Sequence, residues 1–143
     1  VSINADGGVV TPQVVTNGSI TLAQPASKVT IGLAYTCQIQ TMPLDTGEPT
    51  IQGKRKKIAA LNIPLNNARA IYAGSTFSTL VPIKELTANQ QLGQPIPLIT
   101  GMTRVVIDPL WSVQGQICMQ ITDPMPATIL GVIPEITVGD TGK

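Results

Sequence analysis

The chain has 143 residues, a net charge of +1 and no histidine. That length suits one domain with a real hydrophobic core, and so small a net charge gives no global field to draw the chain to DNA or to an anionic membrane. The missing histidine removes the commonest general base and the commonest metal ligand together.

Charged residues make up 12% of the chain, about half the roughly 25% of an ordinary soluble domain. So poorly charged a surface fits a protein that buries much of itself against neighbours in an obligate assembly. Aromatic residues are only Tyr35, Tyr72, Phe77 and Trp111, so the core has to be built from Val, Ile, Leu and Ala. Proline occurs 12 times and glycine 13 times, spread along the chain. Few windows are free of breakers for long enough to make a helix.

In chain order, residues 9–16 form the first β-rich run, and Pro12 demotes it to an edge strand or an arm. Asn17-Gly18 follows, a pair that tolerates positive φ twice and so favours a two-residue hairpin turn into residues 19–22. Residues 24–27 break the chain. Residues 29–33 and 35–42 read as strands, the second alternating Tyr35, Cys37, Ile39 against Thr36, Gln38, Gln40. A Pro- and Gly-containing loop spans residues 43–50.

The segment QGKRKKIAAL then puts four cations, Lys54, Arg55, Lys56 and Lys57, before the strand 58–65. Alternation places Ile58, Ala60 and Asn62 on one face of that strand, and Ala59, Leu61, Ile63 and Leu65 on the other. Asn66-Asn67 signals a turn. Strands are expected at 70–72, 79–83 and 103–107, with a loop at 87–97 and a stop at Asp108-Pro109. Residues 116–122 alternate Ile117, Met119, Ile121 against Gln116, Cys118, Gln120. After a turn at 123–126, residues 128–132 and 135–138 close the series.

The whole predicts an all-β fold with little or no helix, a β-sandwich or barrel-like domain of about eight to ten short antiparallel strands. Residues 1–27 read as an N-terminal arm or linker with a hairpin, 28–138 as the all-β domain and 139–143 as a polar tail. The chain begins at Val1 rather than Met, so a piece of a longer polypeptide is expected.

Catalytic equipment is sparse. Ser-His-Asp and Cys-His arrangements are excluded, and Gly7-Gly8 lacks the lysine and following helix of a phosphate loop. Carboxylates for a glycosidase would have to come from Asp45, Glu48, Asp108, Asp123 or Glu135. Asp45 and Glu48 lie in a loop, and Asp108 and Asp123 precede prolines at turns, where Asp serves the backbone. No dense acidic loop for calcium is present. Cys37 and Cys118 match no zinc spacing, and no disulfide between them is required. They are read as two buried, reduced thiols on strands. No catalytic, metal or cofactor residue is therefore assigned, no cofactor is expected, and the chain is read as a non-enzyme. No apolar run reaches the roughly 20 residues that span a bilayer.

The basic run remains. Its lysines can contact phosphates, but the sequence interleaves no aromatic among them for stacking on single strands. In an extended strand only two of the four would line one surface. A ring of copies would turn those two into a belt of charge. The structural alternative is a solvated strand start, or edge lysines that block aggregation. Trp111 and Tyr35 offer a second, different reading, a platform for a glycan or a host surface, although lone aromatics in β-domains usually belong to the core.

Three patches, read together, carry a resemblance. The first is VTIGLAYTCQIQTMPL at 29–44, the second QGKRKKI at 52–58, and the third PLITGMTRVV at 97–106 with Trp111 and QITDPMPATIL at 120–130. Their order resembles the C-terminal region of tail tube and nozzle proteins of short-tailed bacteriophages, over roughly residues 29–136. Those proteins often carry a V-G-L-P-Y-T-S-like turn, a G-K-x-K-R-like strand start, an L-F-T-G-D-like segment and a D-P-L-P-like turn. This chain departs at Ala34, where the family often has Pro, at Cys37, where it has Ser, and at Met102, where it has an acid. The resemblance implies a non-catalytic virion protein of the tail, assembled in the bacterial host cytoplasm as a ring around the DNA channel. Homo-oligomeric contacts, other tail proteins and non-specific contact with packaged DNA would be its partners. Lys54, Arg55, Lys56 and Lys57 would then be the candidate channel or interface contacts.

Overall fold

A computed structural model describes residues 1–47, 50–85 and 94–139. Among them there is no helix, and so none that could cross a membrane. Twelve short strands run in order: β1 (Ser2–Ala5), β2 (Gly8–Val10), β3 (Val29–Gly32), β4 (Cys37–Gln40), β5 (Lys56–Ala68), β6 (Ile71–Gly74), β7 (Val81–Pro82), β8 (Ile99–Val106), β9 (Trp111–Ser112), β10 (Cys118–Ile121), β11 (Thr128–Ile129) and β12 (Ile133–Val138). The all-β expectation holds, as antiparallel sheets of three, four and five strands with no closed barrel.

β5 is the spine. β11 and β12 pair along one side of it, β8 and β9 along the other. The second sheet runs β4-β10-β6-β7. Between the two lies one apolar cluster: Ile58, Leu61, Ile63, Leu65 and Val105 from the five-stranded sheet, Ile71, Ala73 and Met119 from the four-stranded one. Burying each large aliphatic contributes about 1.5–3 kcal/mol. The core contains no aromatic, as the composition requires.

β5 differs from the strand read in the sequence in two ways. The register on β12 steps from Ala60 opposite Glu135 to Ile58 opposite Ile136, leaving Ala59 unmatched. This bulge turns Ile58 to the same core as Leu61, Ile63 and Leu65, although strict alternation puts it on the opposite face. The strand also runs through Asn66-Asn67 instead of turning there. The register on β8 shifts between Leu65 and Ala68, with Asn67 in the left-handed region at φ 48°. The amide of Asn67 donates to the hydroxyl of Thr100 at 3.0 Å, which replaces the lost ladder bond. Asn tolerates that conformation better than most residues, so the turn signal is used to make a bulge.

The third sheet, β2-β1-β3, joins the N-terminal segment to residues 29–32. β1 and β2 are linked by Asp6-Gly7 with φ 49° and 81°, the double positive φ of a tight hairpin turn. The Asp6 carboxylate accepts the amides of Ser27 at 2.9 Å and Lys28 at 2.7 Å. These two bonds, that of Ser27 first, hold its carboxyl below the usual range. The Asn17-Gly18 turn also forms, with φ 51° and 75°, but closes only a single bridge between Thr16 and Ser19.

Candidate functional site

The four basic residues do not form one surface. Lys54 lies in the turn before β5, its amide bonded to the carbonyl of Ile51 at 3.2 Å, and is half-buried. Arg55 is exposed and Lys57 half-buried. Lys56 is buried at 1% exposure. β5 is flanked on both sides here, Lys56 by Ser112 and Val138, Lys57 by Trp111 and Thr137. Neither a solvated strand start nor a protective edge describes Lys56, because the strand begins inside the sheet. The register also places an aromatic, Trp111, directly opposite Lys57, a neighbour that the linear sequence hides 54 positions away.

Lys56 is held by the turn that follows β9. Its ammonium donates to the carbonyl of Val113 at 2.7 Å. The Ser112 hydroxyl accepts the amides of Gln114 at 3.1 Å and Gly115 at 3.4 Å and so shapes that turn. Gly115 has φ 60°, and a Cβ there would come within 2.9 Å of Lys56 Cδ. Only glycine fits both the backbone and the lysine stem.

A cavity of about 400 Å³ lies beside Lys56, lined by Ile58 and Trp111 from the five-stranded sheet, Gln40 and Cys118 from the four-stranded one, and Phe77 and Gln116 from loops. Gln40 Nε2 donates to Gln116 Oε1 at 3.3 Å, and Gln116 Nε2 to the Thr41 carbonyl at 3.1 Å. Among the described residues that line it, Lys56 is the one charged group.

The candidate platform residues are both exposed, Tyr35 at 80% and Trp111 at 50%. They line different cavities, Tyr35 one of about 440 Å³ with Leu33, Cys37 and Asp123, so they make no common surface. The expectation of two buried thiols is half corrected. Cys118 is buried and Cys37 exposed, and both are free. Cys37 faces Ile121 across the β4–β10 pair while Cys118 faces Gln40, three positions along. Burial pushes the Cys118 thiol up in pKa.

Two of the candidate carboxylates, Asp45 and Glu135, are bound within the fold. Asp45 accepts the amides of Thr46 at 2.9 Å and Ile51 at 3.0 Å, and the bond from Ile51 first holds its carboxyl low. Glu135 takes both forks of Arg104, at 2.7 Å each, and the amide of Asn62 at 3.1 Å. Its carboxyl is held down to about 2, the Arg104 hydrogen bond being the largest cause. Glu48 lies outside the described residues. No three of Cys, Asp and Glu gather to hold a metal ion among the described residues. No protein-family model matches the chain, and no curated protein matches it.

Proposed function

We propose that this chain is a non-catalytic structural protein that acts by assembly, as a ring-forming part of the tail tube or nozzle of a short-tailed bacteriophage. The observation that carries the assembly is an apolar sheet face left exposed by the described residues. Tyr35, Cys37 and Ile39 alternate as a buried face would, and the register puts Ile39 beside the buried Met119 and Cys37 beside Ile121. That face continues the core side of the four-stranded sheet. Yet β4 is an edge strand whose four residues are all exposed, as are all four of β3. Leu33 is 87% exposed between them.

Residues 29–44 also carry no charged side chain. Natural edges are blunted by charge, proline or cover, and this one has no blocking charge, so cover from a neighbouring subunit is what it suits. The tail assignment rests on the resemblance of the three patches, and this uncharged segment is the first of them. In a ring, the outward part of the basic run is Arg55 with Lys54 and Lys57, repeated once per copy along the DNA path. The glycan reading has the exposed Tyr35 and Trp111 in its favour, and their separate cavities against it. Replacing Ile39 with Lys puts a charge on the uncovered face. It is expected to weaken self-association at least about tenfold, measured by sedimentation, with an unchanged β-type circular dichroism spectrum. An association unaffected by Ile39→Lys removes this face from the account.

A further inference from the structure

We infer that β4 of one copy adds as an antiparallel strand to the open edge of β8 of the next copy, so that two sheets become one across the subunit boundary. This rests on the assembly reading and names the second surface that assembly uses. The hydrogen-bond pattern fixes which backbone groups of β4 are free. The amide of Thr41 donates to the carbonyl of Ile117 at 2.9 Å, and Gln40 lies opposite Cys118, so the odd-numbered residues of β4 bond to β10. The N–H and C=O groups of Gln38 and Gln40 therefore point out of the sheet, and no described strand pairs with them. Such an open row of donors and acceptors is a template for another strand.

β8 offers a matching row. The amide of Ile107 donates to the carbonyl of Ala59 at 3.1 Å, so the odd-numbered residues of β8 bond to β5, and the backbone groups of Met102, Arg104 and Val106 point outward. No described strand pairs on that side. At eight residues β8 is longer than any other described strand with an open side, and no proline interrupts it. Its one charge is turned away from the edge, because Arg104 reaches back across β5 to Glu135 on β12.

Pairing the two rows sorts the side chains. In an antiparallel pair, residues that bond each other lie opposite, and their side chains share a face. Gln38 and Gln40 then join the exposed Met102, Arg104 and Val106 on the outer face, while Cys37 and Ile39 join Thr103 and the buried Val105 on the core face. Parallel pairing would put the glutamines on the core face instead. β4 against β4 of a second copy also sorts the side chains, but it closes a two-fold dimer, whereas a ring needs two different surfaces meeting head to tail.

Cysteine cross-linking in the full chain tests the pairing. Opposite residues that do not bond each other stand about 4.5 Å apart at Cα, within the reach of a disulfide. Registers that set Gln38 against Met102, Arg104 or Val106 bring Cys37, Ile39 or Thr41 opposite Thr103. Thr103→Cys is therefore combined with the native Cys37 or, in a Cys37→Ser chain, with Ile39→Cys or Thr41→Cys, and each chain is oxidised with glutathione disulfide. One of the three should give a ladder of linked multimers, at least about tenfold stronger than Gln38→Cys or Gln40→Cys gives in the same background, because those side chains face the other way. Gln38→Pro removes one outward amide and no internal backbone bond, and should weaken self-association at least about tenfold. The unaltered chain, whose exposed thiol is Cys37, should stay largely unlinked. Multimers by sedimentation with no ladder from any of the three chains, an equal ladder from the even positions, or association unchanged by Gln38→Pro would each overturn the edge pairing and leave assembly standing. Complete conversion of the unaltered chain to a disulfide dimer would show β4 against β4 and overturn it likewise. A chain that sediments at the single-chain mass at every concentration would overturn both readings.

Discussion

Lys56 and its neighbours show how far a side chain's role depends on its register. KRKK reads as one block of charge, yet the four residues divide into a turn, an exposed arginine, a buried lysine and a half-buried lysine. The expectation that a strand splits such a run between two faces is sound physics. What the sequence hides is that one of the two faces is the inside of the protein. The same limit applies to the thiols. Cys37 alternates with apolar residues and so reads as buried, but none of the described residues covers β4. In a chain dispersed by Ile39→Lys, one thiol should therefore react within seconds with an aromatic disulfide reagent, and the second only on unfolding. Cys37→Ser should abolish the fast phase, and equal fast reaction of both would contradict the burial of Cys118.

Glu135 gives a pH test at the same scale. Its carboxyl lies at about 2 against an ordinary 4.5, because Arg104 and Asn62 bond the ionised form. A depressed carboxyl adds stability that is complete above about pH 4.5 and is lost as the pH falls towards about 2. The melting temperature of Glu135→Gln should thus lie below that of the parent chain at pH 7, and the gap should close by pH 2. A gap that persists unchanged into acid would show that the ion pair is not its source.

At the scale of the element, the fold depends on β5. Thirteen residues long and paired on both sides, it supplies five members of the central cluster, Ile58, Leu61, Ile63, Leu65 and Ala68. Ile63→Ala, which empties a fully buried position of that strand, should cost about 2–5 kcal/mol. Denaturant titration measures it, and a cost below about 1 kcal/mol would place the core elsewhere. Most strands were legible, because alternation and turn chemistry are local. The Asn17-Gly18 turn forms as its residue types dictate, and so do strands near 29–33, 103–107 and 116–122. What escaped was decided between strands. Ser2–Ala5 carries no strong pattern and is held by pairing with β2 and β3. Trp111–Ser112 is a two-residue strand that exists only because β5 passes beside it. The bulge at Ala59 is likewise set by β12, and it reverses the facing that alternation gives Ile58. The cavity beside Lys56 was invisible for the same reason, since its walls come from segments up to 78 positions apart, Gln40 to Cys118.

At the scale of the molecule, the proposed association draws on several separate observations. The chain is weakly charged, its core is aliphatic, and its four-stranded sheet carries an apolar face past the edge of the layer that covers it. The outward arginine and lysines of the basic run amount to little on one copy with a net charge of +1; only repetition would make them a field. The proposal stands or falls on whether the exposed face of β4 is closed by another copy. The most direct measurement is the mass of the unaltered chain in solution across a concentration series, by sedimentation equilibrium. A discrete multiple of the single-chain mass that persists on dilution into the micromolar range is expected. A chain that stays at the single-chain mass at every concentration would contradict it.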